Sequence, residues 1–377
     1  MSLPPSTLFT ALDAVREAGI VVASDGAEYH KIGAFDPIDA TTNPSLVCAA
    51  VSKPEYSHLV DQAVAYALRT IPSGTVEEKK ELALDRLLVE VGVQILSIIP
   101  GRVSLSVDPR LGSSYSSLVT RSRALVKLVD ELQIHRSRVL IKIPATPSGI
   151  HAAHTLETED GIHTNLTLVF SLVQALACAQ AGVSVISPFI GRVKDWWSVR
   201  AIAEGNSEGL DNQPLSEHPG IRLVHRIKQA YKQYGYTTQI MAAGFRKPEE
   251  IVELSRYGKS GGPDIVTLPP DLLEGLQKME GEHDLGKGLI STKEEADVSQ
   301  TAPAYFTSDG PTKEGWAAFD RDSQLEAISL DKVPEGLAKF SGDAVKLEEK
   351  VRGLIESSTH DHRAPPTSSF PSKMFMS

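Results

Sequence analysis

Eight short β-rich runs recur along the chain, and they limit its fold more than any other feature. They fall at 20–23 (IVVA), 40–42 (ATT), 103–107 (VSLSV), 139–143 (VLIKI), 163–168 (HTNLTL), 183–190 (VSVISPFI), 239–242 (QIMA) and 265–268 (IVTL). Most of the intervals can hold a helix. Leu118, Ala124, Leu125, Leu128 and Leu132 form an apolar stripe before the fourth run, and 170–180 reads as helix before the sixth. Val224, Ile227, Ala230 and Tyr231 form a further stripe before the seventh. Strand alternating with helix implies parallel pairing through right-handed crossovers. Eight such units over ~250 residues predict a (β/α)8 TIM barrel of the α/β class. A doubly wound open sheet is the alternative, but neither glycine-rich phosphate-loop pattern is present.

The ends depart from the repeat. Residues 1–19 predict an added N-terminal helix, and 311–357 predict further C-terminal helices. The expected organisation is one barrel domain over 1–357 and a disordered, Pro/Ser-rich tail over 358–377. The polar stretch 205–220 is expected as a loop on the functional face.

A formal charge of −10 argues against a general nucleic-acid binder, which needs a basic surface. No run approaches the ~20 apolar residues of a membrane-spanning helix. The N-terminal stretch lacks a basic segment leading into an apolar core, so the expectation is no secretory signal and a cytoplasmic location. Two cysteines, Cys48 and Cys178, cannot build a disulfide framework or a four-thiolate metal site, and both read as inert thiols. His151 and His154 lack further ligands at fitting spacing and read as a solvated helix face. No metal is expected. Trp196 and Trp197 read as packing at a helix start.

In a barrel, chemistry collects where strands end. Asp25 and Asn43 follow the first two runs. Ser104, Ser106 and Asp108 share one face of the third by the two-residue period. Lys142 interrupts the fourth, opposite Val139, Ile141 and Ile143, and is expected to point inward. Burial disfavours its charged form, and a neutral amine attacks carbonyls to give a Schiff base. A lysine snorkelling from a strand end, or paired with a buried carboxylate, is the alternative. Asn165 and Thr167 share a face of the fifth run, Ser187 lies on the sixth, and Arg192 and Arg246 are candidate anion clamps. Taken alone, Asp25 before Gly26 reads first as a turn residue, and Asn43 before Pro44 reads also as a helix cap.

With these residues assembled, the chain resembles transaldolases. The segments that carry the resemblance are DATTNPSL (39–46), PGRVSLSVDPRL (100–111), VLIKIPAT (139–146), NLTLVFSLVQALACAQAG (165–182) and ISPFIGRVKDW (186–196). The resemblance implies Lys142 as the Schiff-base lysine and Asp25 as the acid/base for carbon–carbon cleavage. It implies Asn43, Asn165 and Ser187, with Thr41 beside them, as substrate-binding groups, and Thr167 as the residue that positions a catalytic water. Phe189 would lie near the imine, and Arg192 and Arg246 would bind a substrate phosphate. Two positions depart from the family pattern. Ser106 stands where the family carries a catalytic glutamate, and Gly244 where it carries a phosphate-binding serine.

The expected activity is transfer of a dihydroxyacetone unit from sedoheptulose 7-phosphate to glyceraldehyde 3-phosphate in carbohydrate metabolism. No metal or organic cofactor is expected, because a protonated imine is itself the electron sink. The expected partners are a ketose and an aldose, phosphorylated or related carbonyl compounds; a homodimer is compatible with the resemblance. An altered aldolase, lyase or condensing enzyme of a specialised pathway is the first alternative. A non-catalytic sugar-phosphate-binding barrel is the second.

Overall fold

Eight parallel strands close into a barrel in sequence order: β1 (Val21–Asp25), β2 (Asp39–Thr41), β3 (Val103–Ser106), β4 (Val139–Pro144), β5 (Thr164–Val169), β6 (Val185–Pro188), β7 (Gln239–Ala242) and β8 (Ile265–Leu268). Every run read from the sequence contributes one strand. The computed structural model describes residues 8–283, 285–286, 299 and 301–360. Neighbouring strands pair in parallel, and β8 returns to β1.

The two-residue period of the strands separates two apolar cores. Outward-facing Val22, Ile141, Ile143, Leu166 and Ile186 join the surrounding helices in one large core. Ala23, Leu140, Val185, Met241 and Ile265 form a second, small cluster inside the barrel. Two residues further along, the interior turns polar on β1, β4, β6 and β8. Asp25 follows Ala23, Lys142 follows Leu140, Ser187 follows Val185 and Thr267 follows Ile265. The barrel therefore has an apolar floor and a polar mouth.

Local signals end the strands there and start the helices. Asn43 Oδ1 accepts the Leu46 N–H at 3.0 Å, with Pro44 opening the helix Pro44–Val51. Thr146 and Ser171 cap the helices Pro147–Thr158 and Leu172–Gln180 in the same way. Each cap satisfies an amide that would otherwise lack a partner.

The added N-terminal helix spans Ala11–Glu17, begun by a reciprocal Thr10–Asp13 capping box. At the other end lie Lys313–Leu325 and a 33-residue helix, Ile328–His360. This C-terminal helix runs past 357, and positions 361–377 of the expected tail lie outside the described residues. It packs on Pro44–Val51, Val76–Leu96 and β5. The polar loop after helix Ile190–Ala203 is tied back to that helix through Lys194–Asp211 at 2.5 Å, and to the helix Pro248–Ser255 after β7 through His218–Glu250 at 3.6 Å. Among the described residues, no helix is long and apolar enough to cross a membrane.

Candidate active site

Lys142 lies on β4 between its register partners Ser106 on β3 and Asn165 on β5. It is 7% exposed. Its Nζ donates to the Thr42 carbonyl at 3.3 Å. Burial pushes its pKa below the ordinary lysine value, and the carboxylate of Asp25 pulls partly the other way. The inward orientation read from the strand pattern is what the barrel holds. A buried amine with a weakened hold on its proton is chemically a carbonyl nucleophile.

Asp25, at the end of β1, is fixed by a hydroxyl chain. Thr41 Oγ1 donates to Asp25 Oδ1 at 2.7 Å. The same oxygen lies 2.6 Å from Thr267 Oγ1 on β8. A hydroxyl has one proton, so Thr267 is the donor in the second bond. Thr267 was not among the residues singled out from the sequence, because a threonine in a strand is ordinary β composition.

Asn165 is fully buried and internally paired: its Nδ2 donates to Ser104 Oγ at 3.1 Å, and its Oδ1 accepts from Ser187 Oγ at 2.7 Å. Thr167 differs, since its buried hydroxyl has no partner. Ser106 Oγ donates to the Thr42 carbonyl at 3.4 Å. Asn43, Ser106, Lys142 and Thr167 all line one cavity of ≈ 20 Å³, room for about one water.

Asp108 does not share the barrel face with Ser104 and Ser106. β3 ends at Ser106, and Asp108 caps the turn Pro109–Leu111 through the Arg110 N–H. Its carboxylate also pairs with the Arg110 guanidinium at 2.5 Å, and Arg110 reaches Glu348 of the C-terminal helix at 2.7 Å. The two-residue period ended with the strand. Glu28 is held by Lys31 and Lys53 at 2.8 and 2.7 Å. Those hydrogen bonds lower its pKa. Neither group stands in for a carboxylate at position 106.

The two arginines are unequal. Arg192 lies near two aromatic rings, with its guanidinium carbon 5.6 Å from the ring centroid of Phe189 and 5.7 Å from that of Phe340. Its Nη1 is buried without a hydrogen-bond partner. Burial lowers its pKa, Glu335 opposes that, and nearby Arg246 reinforces it. Arg246 is half-exposed and already pairs with Asp195 at 2.5 Å. Gly244 has φ +71°, and a Cβ there would sit 3.2 Å from the Phe189 ring. Only glycine takes that conformation without strain.

The C-terminal helix closes the mouth. Leu337 and Phe340 complete the wall of the cavity over Lys142. Gly336 is buried, and a Cβ on it would fall 2.7 Å from Leu168 and 3.0 Å from Arg192 Nη1. Leu168 has φ +62° and sits in a register shift of β5 between Thr167 and Val169. A non-glycine residue held there costs ~1–3 kcal/mol and marks functional sites. Reading strand ends missed Leu168, Leu337 and Phe340. A faint signal existed: Pro334 and Gly336 interrupt an otherwise helical run, as a close approach requires.

Other expectations resolve simply. His151 and His154 are half-buried rather than solvated. His151 stacks on Tyr115 at 4.1 Å, and His154 meets Phe306 at 4.9 Å. Trp196 and Trp197 lie inside a helix, not at its start. Trp196 packs and donates to Asp331 at 2.8 Å, while Trp197 is 47% exposed. Cys178 is fully buried, which raises its thiol pKa.

The family profile described as Transaldolase/Fructose-6-phosphate aldolase matches residues 22–351. The transaldolase of Saccharomyces cerevisiae is 40% identical, over 92% of this chain and 95% of its own. That of Gibberella intermedia is 39% identical over 90% and 97%, and that of Sus scrofa 39% over 90% and 92%. The chain belongs to the transaldolase/fructose-6-phosphate aldolase family. The matched span opens inside β1 and ends in the C-terminal helix beyond Phe340. Within this family member, the polar mouth, both arginines and the closing helix are thus all part of the shared region.

Proposed function

We propose that this protein is a Schiff-base enzyme that makes or breaks a carbon–carbon bond beside a ketone, in the manner of a transaldolase. The observation that carries the reading is a buried amine, Lys142, whose burial favours the neutral form, with Asp25 as the carboxylate whose field reaches it.

The chemistry follows from the groups present. Lys142 Nζ attacks the ketone carbon, and loss of water gives a protonated imine. Asp25 takes the proton of the C4 hydroxyl. The C3–C4 electron pair moves toward the imine nitrogen as the bond breaks, releasing an aldehyde and leaving a three-carbon enamine. Attack of that enamine on a second aldehyde, whose oxygen takes the proton from Asp25, reverses the step, and hydrolysis of the resulting imine releases the new ketose and frees Lys142. Protonation of the enamine carbon followed by hydrolysis would instead complete an aldolase cycle. Asn43, on the cavity wall, and Thr41, bonded to Asp25, are the groups suited to substrate hydroxyls. Asn165 and Ser187 can join them by exchanging their mutual bond. Thr167, with its free hydroxyl, is the group suited to hold water beside the imine. Arg192 is placed for a terminal phosphate, and Arg246 joins it after parting from Asp195.

The parent reaction would pass dihydroxyacetone from sedoheptulose 7-phosphate to glyceraldehyde 3-phosphate, in the pentose phosphate pathway and the cytoplasm. A specific observation favours a second reading, an altered aldolase or condensing enzyme. The mouth carries Ser106 where the family has a glutamate, and Asp108 and Glu28, two carboxylates outside the barrel interior strands, are tied to cations. A hydroxyl relays a proton through water but cannot hold one near neutral pH. A purely binding barrel has no use for a buried amine.

Borohydride trapping with ketoses, followed by intact-protein mass and peptide mapping, tests the proposal. A reduced adduct on Lys142 is expected. No adduct with any ketose, or an adduct elsewhere, would overturn it.

A further inference from the structure

We infer that Gln174, on the helix Leu172–Gln180, is a positioning residue whose buried side-chain amide holds the bulge in β5 that presents Thr167 and Leu168 to the cavity at Lys142. The inference rests on the reading proposed above for Lys142 and Thr167.

The bulge shows in the strand register. Thr167 pairs with Ser187 and Val169 with Pro188, so Leu168 is one residue more than β6 can match. Leu168 takes φ +62°, a left-handed conformation that a bulky side chain adopts only when its surroundings impose it. The consequence falls on the site. Strand alternation would send Leu168 to the face opposite Thr167. Instead both side chains line the cavity that Lys142 lines. Bulges beside active sites re-aim side chains in this way.

Gln174 supplies the restraint. Its side chain is 2% exposed. Oε1 accepts the Phe170 N–H at 2.9 Å, and Nε2 donates to the carbonyls of Leu168 at 3.2 Å and Ala145 at 2.8 Å. These bonds clamp the backbone just after the left-handed residue. They also tie it to Ala145, the residue that follows β4, the strand of Lys142. A flipped amide would set its oxygen against two carbonyls, so the network fixes one orientation.

The helix start shows that this use of the side chain is particular. Ser171-x-x-Gln174 is the sequence of a capping box, in which the glutamine side chain would return to the Ser171 N–H. Only the serine half forms, with Ser171 Oγ accepting the Gln174 N–H at 3.1 Å. The glutamine amide goes to the bulge instead. Gln174 does not itself line the cavity. Without its amide, β5 can relax toward regular pairing, which turns Leu168 away and shifts the partnerless Thr167 hydroxyl with it.

In the test, the full chain is mixed with dihydroxyacetone, quenched in borohydride at increasing times, and its intact mass measured. Wild type, Gln174→Met, Gln174→Glu, Thr167→Val and the double variant Thr167→Val/Gln174→Met are compared. Gln174→Met should slow the approach to the plateau by about 10- to 100-fold, as for a displacement near ~1 Å. The plateau itself should hold, because a positioned water speeds imine formation and hydrolysis alike. In the Thr167→Val background the same substitution should change the rate by less than about 3-fold, since both act through one hydroxyl. Gln174→Glu keeps the acceptor for Phe170 and, when protonated, one donor. It should be slowed less, so the comparison survives if the methionine variant folds poorly. An unchanged rate, a lowered plateau at the wild-type rate, or equal slowing in both backgrounds overturns the inference. Hydrogen exchange over 166–171 is followed in parallel. Gln174→Met should lose protection there, and unchanged protection also overturns the inference. No adduct in wild type would sink the Schiff-base reading, and the exchange data would still decide whether Gln174 holds the bulge.

Discussion

Ser106 and Lys142 donate to one acceptor, the carbonyl oxygen of Thr42, at 3.4 and 3.3 Å. They are register partners on adjacent strands. A side chain at 106 thus lies within reach of any group attached to the Lys142 nitrogen. A serine there supplies a donor to the backbone, where a carboxylate would supply a proton acceptor to the imine.

Restoring that carboxylate gives the first prediction. Wild type should transfer dihydroxyacetone between sedoheptulose 7-phosphate and glyceraldehyde 3-phosphate weakly. Ser106→Glu should raise kcat/KM, by at most ~10²–10⁴-fold, the usual worth of a positioned acid or base. Its Tm should fall, since the new carboxylate is buried with few donors. A variant that loses the native activity and gains no transfer would mean that Ser106 serves a different substrate.

Lys142→Met should abolish borohydride trapping and stabilise the fold, by on the order of 1 kcal/mol near neutral pH. The folded state favours the neutral amine, so it binds fewer protons than the unfolded chain. Stability then rises with pH between the depressed folded pKa and the ordinary lysine value of 10.5. Below that window the full penalty applies. The Tm gap between variant and wild type should accordingly narrow as pH rises toward 10.5. A pH-independent gap would mean that the folded state does not depress the pKa of this amine.

The chain Thr267–Thr41–Asp25 predicts a positioning role for Thr267. Thr267→Val keeps the shape and removes the donor to Thr41. Turnover should fall several-fold, in line with the ~1 kcal/mol of one neutral hydrogen bond. Half-saturation for imine trapping should stay unchanged, because Lys142 is untouched. Thr267→Ser should rescue turnover. Equal loss in both variants would indicate a packing effect.

Arg192 and Arg246 should separate in mutagenesis. Arg192→Ala removes the guanidinium with the free Nη1 and should raise KM for a phosphorylated ketose by ~10–100-fold, as for a lost charged hydrogen bond of ~1.5–3 kcal/mol. Arg246→Ala should cost less, because that side chain is half-exposed and gives up Asp195 to bind. Asp195→Asn should lower KM modestly by releasing Arg246. Equal losses for the two arginines would refute this ordering.

Much of this molecule was legible in its sequence. Strand alternation is a local, period-two property, so Lys142 opposite Val139, Ile141 and Ile143 had to face the barrel interior, and Asp25, Thr167 and Ser187 fell at the mouth for the same reason. Asn43 before Pro44 announced a helix cap, and it is one. What the tertiary structure decided lay where that period stops or where distant segments meet. Asp108 left the barrel face because β3 ends at Ser106 and Arg110 draws its carboxylate away. The two arginines became unequal because one lies near Phe340, almost 150 residues later, and the other is paired with Asp195. Residues 311–357 read as further helices, but the position of the helix Ile328–His360 across the mouth comes from ion pairs and packing with Pro44–Val51 and Val76–Leu96. Periodicity states which way a side chain points within its own element. It carries no information on which remote element will lie against it, and here that element closes the site.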